Sequence, residues 1–210
     1  MMKVSRIPVG PLGTNCYVAH DGVTGFIVDP GDDASRIIEA VKGLNIEYII
    51  LTHGHFDHIM ALSEVKSETG AKVAIHRAEK GSIESAGESL LGSFMSNVSD
   101  FKPVTADILL EGGEEFSCAG ETLRIIHTPG HSRGSICIDT GSVLFSGDTL
   151  FEDDCGRWDL PGGDYDTLLE SLRVLANLPG DRRVCPGHDV TTTLSRERQH
   201  NRAIREAMRK

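Results

Sequence analysis

Thr52-His53-Gly54-His55-Phe56-Asp57-His58 puts three imidazoles and a carboxylate into positions 53–58. Imidazole nitrogen and carboxylate oxygen are ligands for zinc, iron or manganese. In extended chain His53 and His55 point to the same side and converge on one ion. Gly54 between them is expected to let the backbone turn without steric cost. Asp57 and His58 fall at the start of an expected helix, rotated away, where they reach a second ion. Four residues do not fill two metal sites, so other parts of the chain must contribute. Three further strings set a metal-capable side chain beside glycine, just beyond an expected strand: His127-Thr128-Pro129-Gly130-His131-Ser132, Phe145-Ser146-Gly147-Asp148-Thr149 and Cys185-Pro186-Gly187-His188-Asp189. Taken singly, each is as readily a capping aspartate or a loop histidine. Four such strings in one chain point to a single site gathered at strand ends.

The elements that must position these groups alternate between strand and helix. Asn15–Ala19 and Gly25–Asp29 read as a hairpin around Asp21-Gly22, stopped by Asp29-Pro30-Gly31. A helix carrying Ile37, Ile38 and Val41 follows, with Asp32 or Asp33 as cap and Gly43 as stop. Tyr48-Ile49-Ile50-Leu51 is an unbroken apolar strand, expected to be buried on both faces. A helix is expected from about Asp57 to Thr69, ending at Gly70, and then the strand 72–75. Residues 80–103, around Leu90, Leu91, Phe94 and Met95, lack periodicity and read as a surface loop or short lid. Strands are expected at 116–118, 122–127, 135–139, 143–146 and 183–185. A helix is expected over 165–176, capped by Asp164, and a final basic helix from Leu194 to Met208, within residues 194–210. The mixture makes one domain, residues 1–210, of α+β class (α/β in some schemes).

Composition excludes several functions. The 210 residues carry 21 basic and 31 acidic side chains, a net charge of −10, which disfavours nucleic acid or an anionic membrane as partner. From Arg196 onward the chain is basic, and a solvated helix face is the expected reason. Apolar runs are too short for a membrane span, and the start of the chain lacks the apolar stretch of a signal peptide. The five cysteines form no C-x-x-C pair and read as free thiols in a reducing cytoplasm. Cys155 is expected to be a packed thiol rather than a nucleophile, and His20, His76, His127 and His200 packed or surface residues.

The order His-x-His-x-Asp-His, His131, Asp148, His188 resembles the metallo-β-lactamase superfamily. The resemblance implies a four-layer αββα sandwich with a metal site along one edge between two sheets. It also implies that His53, His55 and His131 bind one metal, that Asp57, His58 and His188 bind another, and that Asp148 bridges them. Two divalent ions, zinc foremost with iron or manganese as alternatives, can share a water, acidify it to hydroxide near neutral pH and polarise a carbonyl. Asp57 would orient that hydroxide and accept its proton. No organic cofactor is expected.

Finer strings are similar to glyoxalase II-type hydrolases, nearest to the short branch: Pro8–Tyr17, His127–Ser135, Ser146–Phe151 and Cys155-Gly156-Arg157-Trp158-Asp159. They imply hydrolysis of a small-molecule thioester such as S-D-lactoylglutathione. With about twenty residues after His188, the helical C-terminal domain of the longer enzymes is expected to be absent, and with it their basic contacts to glutathione. Arg157 is expected to hold a substrate carboxylate or to pair with Asp159 beside the metals. A rival reading by resemblance is a persulfide dioxygenase with one iron on His53, His131 and Asp148; lactone or other ester hydrolysis is a second. A nuclease is disfavoured by charge, a β-lactamase by the Asp57-His58-His188 set. The sequence leaves the oligomeric state open.

Overall fold

The computed structural model describes residues 2–94 and 98–209; Met95, grouped above with the lid, lies outside the described residues, as do Met1 and Lys210. The strands are β1 (Lys3–Val9), β2 (Thr14–His20), β3 (Thr24–Val28), β4 (Asn45–Ile50), β5 (Lys72–His76), β6 (Ile108–Leu110), β7 (Glu115–Cys118), β8 (Glu121–His127), β9 (Ile136–Asp139), β10 (Val143–Gly147), β11 (Arg183–Pro186) and β12 (Thr192–Thr193). The helices are α1 (Ala34–Ala40), α2 (Leu62–Thr69), α3 (Lys80–Glu84), α4 (Leu91–Phe94), α5 (Tyr165–Ala176), α6 (Leu194–His200) and α7 (Arg202–Ala207).

The strands form two six-stranded mixed sheets, ordered β1-β2-β3-β4-β5-β6 and β12-β11-β10-β9-β8-β7. Alternation along the buried strands creates three apolar layers. In β4, Ile49 faces the layer under α1 and α2, while Ile50 faces the layer between the sheets. In β10, Phe145 joins that inter-sheet layer and Leu144 packs under α5 and α7. Helices outside each sheet complete the four-layer αββα sandwich that the sequence led one to expect. Among the described residues no helix is long and apolar enough to cross a membrane.

Several expectations need correction. The helix expected from Asp57 begins only at Leu62, because Met60 N and Ala61 N donate to Gly31 O and Pro30 O, both at 3.0 Å. Asp57 and His58 lie instead in a 3₁₀ turn, Phe56–His58. Asp33 precedes α1 in a left-handed conformation (φ 52°) that a capping residue does not use, and its carboxylate accepts from Gly10 N and Arg36 Nη1 rather than capping. The final helix is broken at fully buried Asn201, whose extended backbone ends α6 and whose side chain caps α7 through Ala203 N and Ile204 N. Residues 80–103 are not all surface: Ile83 and Leu91 are buried, and Ile83 joins the apolar layer beneath the first sheet with Phe101 packed against it. Asp164 caps α5 as expected, accepting from Thr167 N.

Candidate metal centre

The first sheet sends its ligands from one place, the segment leaving the C-terminal end of β4. The second sends one from each of three connections: His131 between β8 and β9, Asp148 after β10, His188 after β11. β10 and β11 are parallel, so Asp148 and His188 emerge at the same edge. All seven side chains meet there. His131 Nε2 stands 3.2 Å from His53 Nε2 and 2.9 Å from His55 Nδ1. His58 Nε2 is 3.5 Å from both Asp57 Oδ2 and Asp148 Oδ1. His188 Nε2 is 3.2 Å from Asp57 Oδ2 and 3.6 Å from Asp148 Oδ2, the oxygen also 3.6 Å from His131 Nε2. Three overlapping trios have ligand atoms close enough to hold an ion: His53–His55–His131, Asp57–His58–His188 and, between them, His53–His58–Asp148, which takes one histidine from each.

Outer hydrogen bonds aim these rings, as they do around metal ligands generally. His131 Nδ1 donates to Arg157 O at 2.7 Å, and His58 Nδ1 to Asp29 Oδ2 at 2.9 Å. Thr52 Oγ1 donates to Asp29 Oδ2, leaving its lone pair for the His53 Nδ1 proton at 3.1 Å. With Nδ1 protonated in each, the Nε2 atoms of His53, His58 and His131 point inward; against burial, Asp57 and Asp148 raise His58 well above the imidazole range, so its Nε2 keeps a proton that a metal ion would displace. Burial, followed by the neighbouring histidines, holds His53 well below the imidazole range; burial, with His131 and His58 added, takes His55 down to about 3. For Asp148, burial favours the acid form, but His58 and its companions outweigh it and lower the pKa to about 2. Asp57 is likewise held below the carboxylate range, against burial, by His58, His188 and Thr14.

The donor set fits metal ions. His58 Nε2 and Asp148 Oδ1 are buried without a hydrogen-bond partner, a costly condition that a cation between them removes. Neutral imidazole lone pairs converging within 3.2 Å repel unless a positive centre lies among them. On geometry, His53, His55 and His131 would hold one ion and Asp57, His58 and His188 another, with Asp148 able to reach both.

Space at the site is set by glycine. A Cβ on Gly187 would stand 2.1 Å from Asp148 Oδ1, so a side chain there displaces the carboxylate. Gly54 is required for clearance rather than for turning: its Cβ would meet Ser82 Cβ at 2.3 Å, and its φ is not positive. Arg157 pairs with Asp159 through two bonds of 2.8 and 2.9 Å; both side chains are exposed, and Arg157 stands at the rim of the site. Burial, reinforced by Asp154 and Glu206, pushes the Cys155 thiol up to about 11, so it stays protonated and poorly nucleophilic. His76 and His127 stack 4.2 Å apart, outside the ligand cluster.

Four positioning residues were not singled out in the sequence. Buried Asp29 holds both Thr52 and His58 from a left-handed backbone (φ 51°). Its only signal was an acidic residue where β3 stops. Thr14 Oγ1 donates to Asp57 Oδ2 at 2.8 Å, and Asn15 Nδ2 to Pro186 O and Asp189 O, both at 2.9 Å, which anchors the His188 loop to β2. Both belong to the opening string that carried the family resemblance. Buried Glu79 accepts from Gly54 N (3.1 Å) and Gly134 N (2.8 Å), tying the two histidine loops together; nothing in the sequence announced it.

Above the cluster lies a cavity of about 360 Å³ walled by Leu12, Phe56, Leu90, Phe94, Phe151 and Leu160. Fold and site together define a metallohydrolase. Residues 9–188 match the metallo-beta-lactamase superfamily, and the chain belongs to that family. It is 38% identical over 205 residues to the probable metallo-hydrolase YqgX of Bacillus subtilis, covering 95% of this chain and 96% of that protein. To the hydroxyacylglutathione hydrolase GloC of Haemophilus influenzae it is 33% identical over 207 residues, covering 95% and 97%. The crystal structure of the BLEG-1 B3 metallo-beta-lactamase superposes with TM-score 0.85 at 38% identity, over 95% of this chain and 98% of that one. That of TTHA1623 in a di-iron-bound form gives 0.84 at 33%, over 94% and 98%.

Proposed function

We propose that the protein is a dinuclear metal-dependent thioesterase acting on a small-molecule thioester such as S-D-lactoylglutathione. The observation that carries the reading is the cluster of overlapping ligand trios, Asp148 among them, beneath a cavity wide enough for an acyl group. The thioester preference is supported by full-length similarity to a protein named as a hydroxyacylglutathione hydrolase. A di-iron form of a similar structure supports two ions. When bound, the two ions supply Lewis acidity and lower the pKa of water. Asp57, ionised and fixed by Thr14, orients the attacking water and accepts its proton. His131, held by the Arg157 carbonyl, and His58, held by Asp29, keep the centre rigid while charge develops on the scissile carbonyl. The apolar walls exclude bulk water from the acyl group. The free cysteines Cys16, Cys118, Cys137, Cys155 and Cys185 suit a reducing cytoplasm.

Elemental analysis of protein purified without added metal, with S-lactoylglutathione turnover in the same sample, tests this. Two ions per chain with thioester cleavage sustain it. One iron per chain with oxygen uptake on glutathione persulfide makes the protein a dioxygenase instead. Two ions with turnover of a β-lactam or a lactone but of no thioester keeps the centre and overturns the substrate.

A further inference from the structure

A second cavity, of about 300 Å³, adjoins the first: His55 and Leu90 line both. Its other walls come from the 3₁₀ turn Arg77–Glu79, α3 and the loop after it, the segment after His131 and the loop before α5, and include Glu79, Ser82, Glu88, Ser132, Arg133 and Gly162. Most polar groups in it are already engaged. Glu79 spends both oxygens on the amides of Gly54 and Gly134; Ser82 Oγ donates to Glu88 O, and Ser132 Oγ bonds Ser135 Oγ. Two charges remain. Among the described residues no carboxylate lies within ion-pair distance of the Arg133 guanidinium, and no cation within that distance of the Glu88 carboxylate, although both line one cavity. The Arg133 stem lies beside Gly162, where a Cβ would come 3.4 Å from Cγ, and the Glu88 tip rests on Gly81, where a Cβ would come within 1.8 Å of Oε2. Opposite charges that share a cavity without pairing leave room for a ligand group bearing both.

We propose that this cavity is a substrate subsite for a zwitterionic amino-acid end, its carboxylate taken by Arg133 and its ammonium by Glu88. The proposal rests on the hydrolase reading and names the arm of the substrate remote from the cleaved bond. Arg133 and Glu88 are exposed, so that arm opens to water and belongs to the departing thiol, while the acyl group occupies the apolar cavity. A guanidinium offers carboxylate a paired donor geometry, and hydrogen bonds to charged groups are the stronger ones.

The test compares D-lactoyl thioesters of γ-glutamylcysteine, which carries such an end, and of N-acetylcysteamine, which carries none. Arg133→Ala is expected to raise KM for the first by about tenfold or more, with kcat little changed and kcat/KM for the second unaltered. Glu88→Gln should act in the same direction and less. Equal effects on the two substrates, or none on either, overturn the subsite. If the wild-type protein cleaves neither thioester, the hydrolase reading fails separately, and binding decides the subsite. Calorimetric binding of S-methyl-γ-glutamylcysteine to the metal-loaded protein, lost in Arg133→Ala, sustains it; no binding to wild type overturns it.

Discussion

The two sheets bring ligands to the metal centre by opposite strategies. The first delivers four, His53, His55, Asp57 and His58, from one segment at the end of β4. Their relative placement is local, fixed by a 3₁₀ turn and by Asp29 holding Thr52 and His58. The second sheet delivers one ligand from each of three separate connections. Their convergence depends on the parallel pairing of β10 with β11 and on the bonds from Asn15 and Tyr17 that draw Pro186 toward the first sheet. A contiguous set tolerates sheet movement as a unit, whereas a dispersed set is only as accurate as the packing between the sheets. The Glu79 carboxylate links the two sets directly.

Breaking the shared element should cost most. Asp148→Asn, which removes a charge facing both trios, is expected to lower turnover by more than about a hundredfold, beyond the usual loss from outer partners. Circular dichroism should remain native, and wild-type turnover would exclude Asp148 from the centre.

Asp29→Asn probes the contiguous set. Losing the acceptor that fixes His58 should weaken metal binding by about 10–100-fold. In a titration followed by elemental analysis the larger loss should fall on one of two ions, that of His58, and a smaller one on that of His53, which Asp29 reaches through Thr52; equal weakening of both would mean that Asp29 serves the fold rather than His58. Glu79→Gln probes the link. An amide keeps one acceptor oxygen but turns an NH₂ toward a backbone N–H, so about 1–3 kcal/mol of stability should be lost, measured by denaturant unfolding of the metal-free protein. A loss below a few tenths would show that the two histidine loops hold their spacing without it.

The smallest effect concerns pH. Burial, and then the stacked His127, lower the pKa of His76 in the folded protein. A histidine depressed on folding contributes stability above its unfolded value, near 6.5, and loses it as pH falls toward the folded value. Between pH 7.5 and 5 the wild-type protein should therefore lose more stability than His76→Asn. Parallel losses would show that His76 does not contribute.

Much of the centre was legible because its chemistry is concentrated. The 53–58 string announced itself by residue type and spacing, and His131, Asp148 and His188 by recurring glycine-flanked positions beyond strands. Nine strands were read, most to within a residue and β4 to within three, since burial leaves a periodic trace, as in Ile49 and Ile50; β1, β6 and β12, all at sheet edges where that trace is weak, were not. The helix expected from Asp57 was misread because its first amides are claimed by Pro30 and Gly31, a contact between segments that no local pattern records. The final helix was read through Asn201 for the same reason: the break is held by the carbonyls of Phe151 and Asp154, distant in the chain, which accept from Asn201 Nδ2.

Residue identity and local period therefore determined which side chains could bind metal and which central segments are strands, because ligand chemistry and backbone alternation are properties of short stretches. Tertiary structure alone decided how closely the candidate ligands approach one another, which outer residues aim them, and that Arg133 and Glu88 share one cavity. Those depend on the distance between atoms far apart in the chain, which is set only when the two sheets close on their common apolar layer.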